Sequence, residues 1–138
     1  MHGSIAWLDM KGRADRREFV AVVVPSLVLM IVYLYGFSIF APPPVPLGPA
    51  LVEMAGVLLL IGVIFVAATR RLHDLGQSAL WLYGLGIAAR VVMLIGGWLP
   101  LGLSRNALGL SAFGLGLAAL AILKGNSGDN RFGPFPGA

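Results

Sequence analysis

Residues 48–78 read GPALVEMAGVLLLIGVIFVAATRRLHDLGQS, and this segment is the most informative about the fold. From Gly48 to Thr69 it is apolar apart from one acid, Glu53. Its length matches the ~20 residues that an α-helix needs to cross ~30 Å of hydrocarbon. At Arg70 the sequence turns abruptly polar. An apolar helix that ends in paired arginines is typical of a membrane span that reaches the cytoplasmic surface.

Three further apolar runs flank this stretch, at about Phe19–Ala41, Ala79–Leu99 and Leu103–Leu123. Of the residues in the chain, 58% are apolar and 12% are charged, whereas a soluble domain carries about 25% charged residues. This composition excludes a soluble globule and suits a surface that faces lipid. We therefore predict an all-α bundle of four transmembrane helices, which forms a single domain over residues 1–138.

Lysines and arginines gather at one set of helix ends. Eight of the ten in the chain lie there: Lys11, Arg13, Arg16, Arg17, Arg70, Arg71, Lys124 and Arg131. Arg105 lies at the opposite ends, and Arg90 lies within the third run. Because cytoplasmic ends are enriched in these residues, both termini and the loop 70–78 are predicted to be cytoplasmic. We therefore attribute the net charge of +4 to residues that contact the membrane surface, and we expect no nucleic-acid partner.

The polar segments at 1–18, 70–78 and 124–138 would share the cytoplasmic surface, and we expect them to form one cap. Their members are candidates for binding an anionic lipid headgroup or an acidic segment of a partner protein. The alternative is simple anchoring, at about 1 kcal/mol for each arginine near an anionic leaflet. The candidate residues are Gly12, Arg13, Arg16, Arg17, Arg70, Arg71, His73, Asp74, Ser78, Asn130, Arg131, Gly133 and Pro134.

These polar segments resemble a bacterial inner-membrane family known as domain of unknown function 805. The similar elements are an N-terminal Gly-Arg-x-x-Arg-x-x-Phe at residues 12–19, an Arg-Arg-Leu-His-Asp at 70–74 and an Asn-Arg-Phe-Gly-Pro at 130–134. The chain departs from the family pattern at Val20, at Ala79-Leu80 and at Phe135. The resemblance implies a four-helix fold in the inner membrane and implies no activity.

His73 and Asp74 are neighbours in this segment, and such a pair invites comparison with a metal site or a general base. The other histidine is His2, and the chain has no cysteine, so neither a metal site nor a cofactor is expected. No nucleophile is spaced to form a catalytic triad. We expect Asp74 instead to accept hydrogen bonds from Arg13, Arg16, Arg17 or Arg131, because an acid confined among cations gains charge-assisted bonds.

Two ionisable residues, Glu53 and Arg90, fall inside apolar runs. A charged side chain at the centre of a membrane helix costs about 2.5–3.5 kcal/mol on insertion scales, so we predict that these two form a pair inside the bundle. Small residues at a spacing of four occur at Gly84 and Ala88 and at Gly114 and Ala118. They predict faces where helices pack closely.

Three hypotheses for the function of the protein remain open. The first is a noncatalytic membrane module or accessory subunit, whose cap binds anionic lipid or a partner within a larger complex or homo-oligomer. The second is a small transporter or channel, although the first apolar run lacks the acid that short drug exporters use. The third is a lipid-modifying enzyme that uses His73 and Asp74. We favour the first and expect the chain not to be an enzyme.

Overall fold

The computed structural model describes residues 12–40, 46–96 and 105–134. It is all-helical, with four helices: α1 (Arg16–Phe40), α2 (Leu47–Asp74), α3 (Leu80–Gly96) and α4 (Arg105–Ile122). The helical class and the order of the elements are confirmed. Residues 1–11, the Pro-rich segment 41–45, residues 97–104 and residues 135–138 lie outside the described part of the chain.

Helix α1 begins three residues earlier than the apolar run predicts. The carboxylate of Asp15 accepts a hydrogen bond of 2.7 Å from the backbone N–H of Glu18, which is the geometry of a side-chain N-cap. A cap of this kind satisfies one of the backbone donors that are left over at a helix start. The helix therefore begins at Arg16, inside the polar segment.

Helix α2 ends five residues later than predicted, so the prediction that 70–78 is a loop is wrong for Arg70 to Asp74. The end is set by the backbone. Gln77 N–H donates to the Leu72 carbonyl at 2.8 Å and Gly76 N–H donates to the His73 carbonyl at 3.0 Å. Gly76 has a positive φ of 73°, which completes a Schellman cap. The change in polarity at Arg70 marks a change of surroundings and not the end of the helix.

Two helical segments, Arg16–Phe37 and Leu47–Asp74, are long and apolar enough to cross a bilayer. The described apolar parts of α3 and α4, Leu80–Gly96 and Leu108–Ile122, are shorter. Large apolar side chains are exposed on all four helices, including Val32 at 62%, Leu59 at 70%, Leu94 at 60% and Leu115 at 72%. Apolar exposure on this scale is typical of a lipid-facing or protein-facing surface.

The chain packs as two helical hairpins, α1 with α2 and α3 with α4, and the hairpins meet mainly at one end. The buried core lies at that end, next to the polar segments. It consists of apolar side chains from all four helices: Phe19, Val23, Ile64, Ala67, Ala68, Leu72, Leu82, Leu117 and Leu120. The polar segments and the core therefore hold the same end of the two hairpins together.

The predicted packing faces at Gly84 and Ala88 and at Gly114 and Ala118 make no close helix contact among the described residues. These residues are exposed, and a Cβ placed on Gly84 or Gly114 would meet nothing within 4 Å. Close approach of α3 to α4 occurs instead at three other glycines. They are Gly96 against Leu108, Gly109 against Met93, and Gly116 against Leu85.

Candidate functional site

The described parts of the three polar segments, residues 12–18, 70–78 and 124–134, converge on Asp74, and we call this assembly the cap. Arg13 donates to Asp74 Oδ1 through Nη2 at 2.9 Å and through Nε at 3.2 Å. Arg71 donates through Nη1 to Asp74 Oδ2. The exposed fractions of the Arg13, Arg71 and Asp74 side chains are 1%, 1% and 3%. The predicted bond between Asp74 and an arginine is confirmed for Arg13.

Arg13 also binds the segment that follows α4. Its Nη1 donates to the Gly128 carbonyl at 2.7 Å and to the Gly133 carbonyl at 3.3 Å, and its Nη2 donates to the Asn126 carbonyl at 2.7 Å. A guanidinium offers five N–H donors in a planar fork, which suits this combination of one carboxylate and several carbonyls. One side chain thus joins the N-terminal segment, the end of α2 and the C-terminal segment.

Arg71 binds the C-terminal end of α4. Its Nε donates to the Leu120 carbonyl at 2.9 Å, and its Nη2 donates to the Leu123 carbonyl. The last carbonyls of a helix have no partner in the helix and carry the negative end of its dipole, so a guanidinium there is favourable. Arg71 was not among the arginines predicted to pair with Asp74. Its spacing of three residues from Asp74 on one helix was the available signal.

Arg70 points to the other side of α2. It forms an ion pair of 2.6 Å with Glu18 and donates to the Arg13 carbonyl at 3.2 Å. The Arg70 carbonyl accepts a hydrogen bond from Ala14 N–H at 3.1 Å. These contacts hold the N-terminal segment against α2 just before α1 begins. Arg13, Arg70 and Arg71 are therefore engaged inside the cap.

His73 lies under the C-terminal segment. Its ring stacks on Phe132 with centroids 3.9 Å apart and planes within 5°, and Nδ1 lies 3.3 Å from the Gly12 carbonyl. The side chain of Asn130 donates to the His73 carbonyl at 2.8 Å. Arg131 covers the same phenyl ring, with Cζ at 4.6 Å from its centroid. These contacts order the segment from Asn130 to Gly133 as an irregular cap, as its sequence suggested.

The remaining predicted cap residues lie at the edge. Ser78 is half-buried and its carbonyl accepts from Trp81 N–H at the start of α3. Pro134 is exposed at the end of the described chain. Gly125 was not predicted, although a Cβ placed there would overlap the Asp74 carboxylate. A glycine directly after Lys124, where the apolar run ends, was the one sequence signal for this close approach.

The predicted pair between Glu53 and Arg90 is wrong. In the described part of the chain no ion pair joins them, and Arg90 is exposed, with its Nη1 3.8 Å from the Met93 sulfur. The reason lies in the rotation of α3. The neighbouring residue, Ala89, is buried against α4 at Gly109, and successive helical residues are about 100° apart. Arg90 is therefore turned away from the contact that Ala89 makes.

A small polar pocket of about 230 Å³ lies on the outside of the cap. Its basic residues come from two helix ends and from the segment after α4. The lining residues are Asp15, Arg16, Arg17, Arg71, Asp74, Lys124, Gly125 and Ser127. Arg16 and Arg17 are exposed, as is Lys124, and Arg16 donates to the Ile122 carbonyl at 3.3 Å. Of the four cations that line the pocket, these three face outward.

No group of three His, Asp or Glu side chains within the described residues could hold a metal ion.

Residues 7–134 match the sequence model of a protein family, which is described as a protein of unknown function (DUF805). This match covers most of the 138 residues, and the chain belongs to that family. Neither the curated proteins nor the solved structures contain a significant match.

Proposed function

We propose that this DUF805 protein is a noncatalytic four-helix module of the inner membrane whose cytoplasmic cap binds the headgroup of an anionic lipid. The observation that carries the proposal is the difference between two groups of cations in the cap. Arg13, Arg70 and Arg71 bind carboxylates and backbone carbonyls inside the cap. Arg16, Arg17 and Lys124 face outward around one pocket.

The length of α2 supports a position for the cap at the membrane surface. The helix has 28 residues, or ~42 Å at ~1.5 Å per residue, which exceeds a hydrocarbon thickness of ~30 Å. If its N-terminal part crosses the bilayer, its last turns extend beyond the hydrocarbon. Those turns carry Arg70, Arg71 and Asp74, which would then lie among headgroups or in water. The gathering of Lys and Arg in the same segments supports a cytoplasmic orientation.

The charge of the pocket supports an anionic ligand. Its lining includes four cations, Arg16, Arg17, Arg71 and Lys124, and two acids, Asp15 and Asp74. Four positive and two negative charges leave a surplus of two. Both acids are also already engaged, since Asp15 caps α1 and Asp74 binds two guanidinium groups. A phosphate group in this pocket would find the exposed donors of Arg16, Arg17 and Lys124, beside the exposed acid Asp15.

The geometry at His73 and Asp74 favours a structural role over catalysis. A general base needs a lone pair within hydrogen-bond reach of its substrate. The Asp74 carboxylate is 3% exposed and is held by Arg13 and Arg71, while the His73 ring is covered by Phe132. Transport is also not favoured, because Arg90 does not lie in the cavity between the helices.

Native mass spectrometry of the full chain in detergent micelles tests the proposal. Phosphatidylglycerol and phosphatidylcholine with identical acyl chains compete for the protein. We expect phosphatidylglycerol to be retained preferentially. Lys124→Gln should weaken its retention about fivefold, and the triple change of Arg16, Arg17 and Lys124 to Gln should weaken it roughly 100-fold, at about 1 kcal/mol for each cation.

Arg131→Gln is the matched control. It removes one positive charge from an exposed position in the same cap but away from the pocket. We expect it to leave the preference for phosphatidylglycerol within about twofold of the unchanged protein. Equal retention of the two lipids, or an unchanged preference in the triple variant, would contradict the proposal. A loss of equal size in Arg131→Gln would mean that the cap acts only through its net charge.

A further inference from the structure

A large apolar cavity lies between the two helical hairpins. Its volume is about 880 Å³, within the range of about 300–1,000 Å³ that ligand pockets occupy. All four helices line it, with side chains such as Val24, Ile64, Leu82 and Phe113. The cavity is open on one side, because several of its lining side chains are exposed, among them Val24 at 51% and Leu110 at 70%. An apolar molecule of considerable size would fit it.

The cavity and the basic pocket follow one another along the same helices. On α1, Phe19 and Val20 line the cavity, and Arg16 and Arg17 line the pocket one turn earlier. On α2, Ala68 lines the cavity and Arg71 lines the pocket. Residues three or four apart share one face of a helix and lie one turn, or ~5 Å, from each other.

The order is the same beyond α4: Ala121, in the last turn of the helix, lines the cavity, and Lys124, two residues after its end, lines the pocket. Small or exposed side chains flank the gap between α1 and α4. Val20 is 39% exposed and Val24 is 51% exposed, while Gly114 and Ala118 on α4 are also exposed. The cavity is therefore open on the side between α1 and α4, and an apolar chain can enter it there over the exposed Val20 and Val24.

We propose that the lipid bound by the cap inserts one acyl chain into the cavity between the hairpins. This inference rests on the proposed function, and it narrows the ligand to an anionic phospholipid whose headgroup and chain are both held by the protein. Charge complementarity selects the headgroup, and the apolar wall selects the chain. Inside a bilayer the chain gains close dispersion contacts with the wall and no net hydrophobic transfer, because the surrounding lipid is equally apolar.

The small size of Gly114 and Ala118 leaves the room that this chain needs. A Cβ on Gly114 would meet nothing within 4 Å, so a larger side chain can be introduced there without a clash. Gly114→Leu would project into the cavity and compete with the acyl chain. Gly84→Leu is the matched control, because Gly84 is also exposed, has the same open space and does not line the cavity.

The test uses phosphatidylglycerol that carries a photoactivatable diazirine in the middle of one acyl chain, with phosphatidylcholine of the same chain as the comparison. Both are bound to the purified full chain in detergent, and the labelled residues are mapped by mass spectrometry. We expect phosphatidylglycerol to label the buried cavity residues Ile64, Leu82 and Leu117, which are 5–7% exposed. Gly114→Leu should abolish most of this labelling, and Gly84→Leu should leave it unchanged.

Two outcomes would overturn the inference in different ways. If phosphatidylglycerol is still preferred through Arg16, Arg17 and Lys124 but labels only outward-facing residues such as Leu59 and Leu115, the proposed function stands and the chain lies outside the bundle. If the cavity is labelled equally by both lipids and the three cations have no effect, the cavity accepts any acyl chain. Both the anionic headgroup and the proposed function are then wrong.

Discussion

Replacing Asp74 with asparagine is the sharpest perturbation of the cap. The change preserves the size of the side chain and removes the negative charge between Arg13 and Arg71, whose side chains are both 1% exposed. Neutralising one partner of a buried ion pair costs about 3–5 kcal/mol, because the other charge stays buried. Both guanidinium groups keep backbone carbonyl partners, including those of Asn126 and Leu120. We therefore expect a loss near the lower limit, about 3 kcal/mol.

Limited proteolysis with trypsin measures this loss where it occurs. The bonds after Lys124 and Arg131 lie in the segment that Arg13 holds against α2. When opening and closing are fast compared with cleavage, the cleavage rate follows the population of the open form. A loss of about 3 kcal/mol raises that population by roughly 100-fold, so cleavage in Asp74→Asn should be faster by the same factor.

Glu53→Gln provides the control for this measurement, since it neutralises a half-buried acid on the same helix far from the cap. Its cleavage rate should stay within about twofold of the unchanged protein, as expected for a change of less than ~0.5 kcal/mol. A rate in Asp74→Asn within about threefold of the unchanged protein would refute the reasoning. The carboxylate would then contribute less than ~0.7 kcal/mol to holding the segment, and the backbone carbonyls alone would bind both arginines.

Three further changes test other parts of the account. Gly125→Ala places a Cβ against the Asp74 carboxylate and should destabilise the cap by about 1–3 kcal/mol, measured by the same proteolysis. Gly128→Ala is the control, because a Cβ at Gly128 meets open space. Equal cleavage rates in the two variants would contradict the close packing at Gly125. Phe132→Ala removes the ring stacked on the imidazole and should cost about 0.5–1.5 kcal/mol in the same assay; an unchanged rate would mean that the stack is incidental. In intact cells, a membrane-impermeant maleimide should label Gly48→Cys and not Ser127→Cys, and the reverse pattern would invert the orientation.

The sequence was enough to predict that arginines of the polar segments would bind Asp74. An acid that must share one membrane surface with many cations will find one of them, whichever helix it lies on. Which arginines bind Asp74 could be predicted from the sequence only in part. Arg71 was assigned to the same ligand-binding set as Arg16 and Arg17, yet its side chain is 1% exposed while theirs face outward. A sequence places an arginine near the end of an apolar run and does not show which way its side chain faces.

Rotation about the helix axis also explains why the pairing of Glu53 with Arg90 failed. The depth of each residue follows from its distance along the helix, and on depth alone the two could meet. The direction in which the Arg90 side chain points depends on how α3 is rotated against α4. Close contacts at Gly109 and Gly116 set that rotation and bury Ala89 in place of its neighbour. The chain contains 19 glycines, so its sequence does not show which of them form such contacts.

If the outward cations of the cap bind the phosphate of an anionic lipid, that phosphate should be visible in a crystal structure. The crystals of the full chain would be grown from a lipidic mesophase that contains phosphatidylglycerol. We expect a lipid phosphate within ~3 Å of the side-chain nitrogens of Arg16, Arg17 and Lys124, with Arg13 and Arg71 still bound to Asp74. A pocket without phosphate in the presence of that lipid, or a phosphate that displaces Asp74 from Arg13 and Arg71, would contradict this expectation.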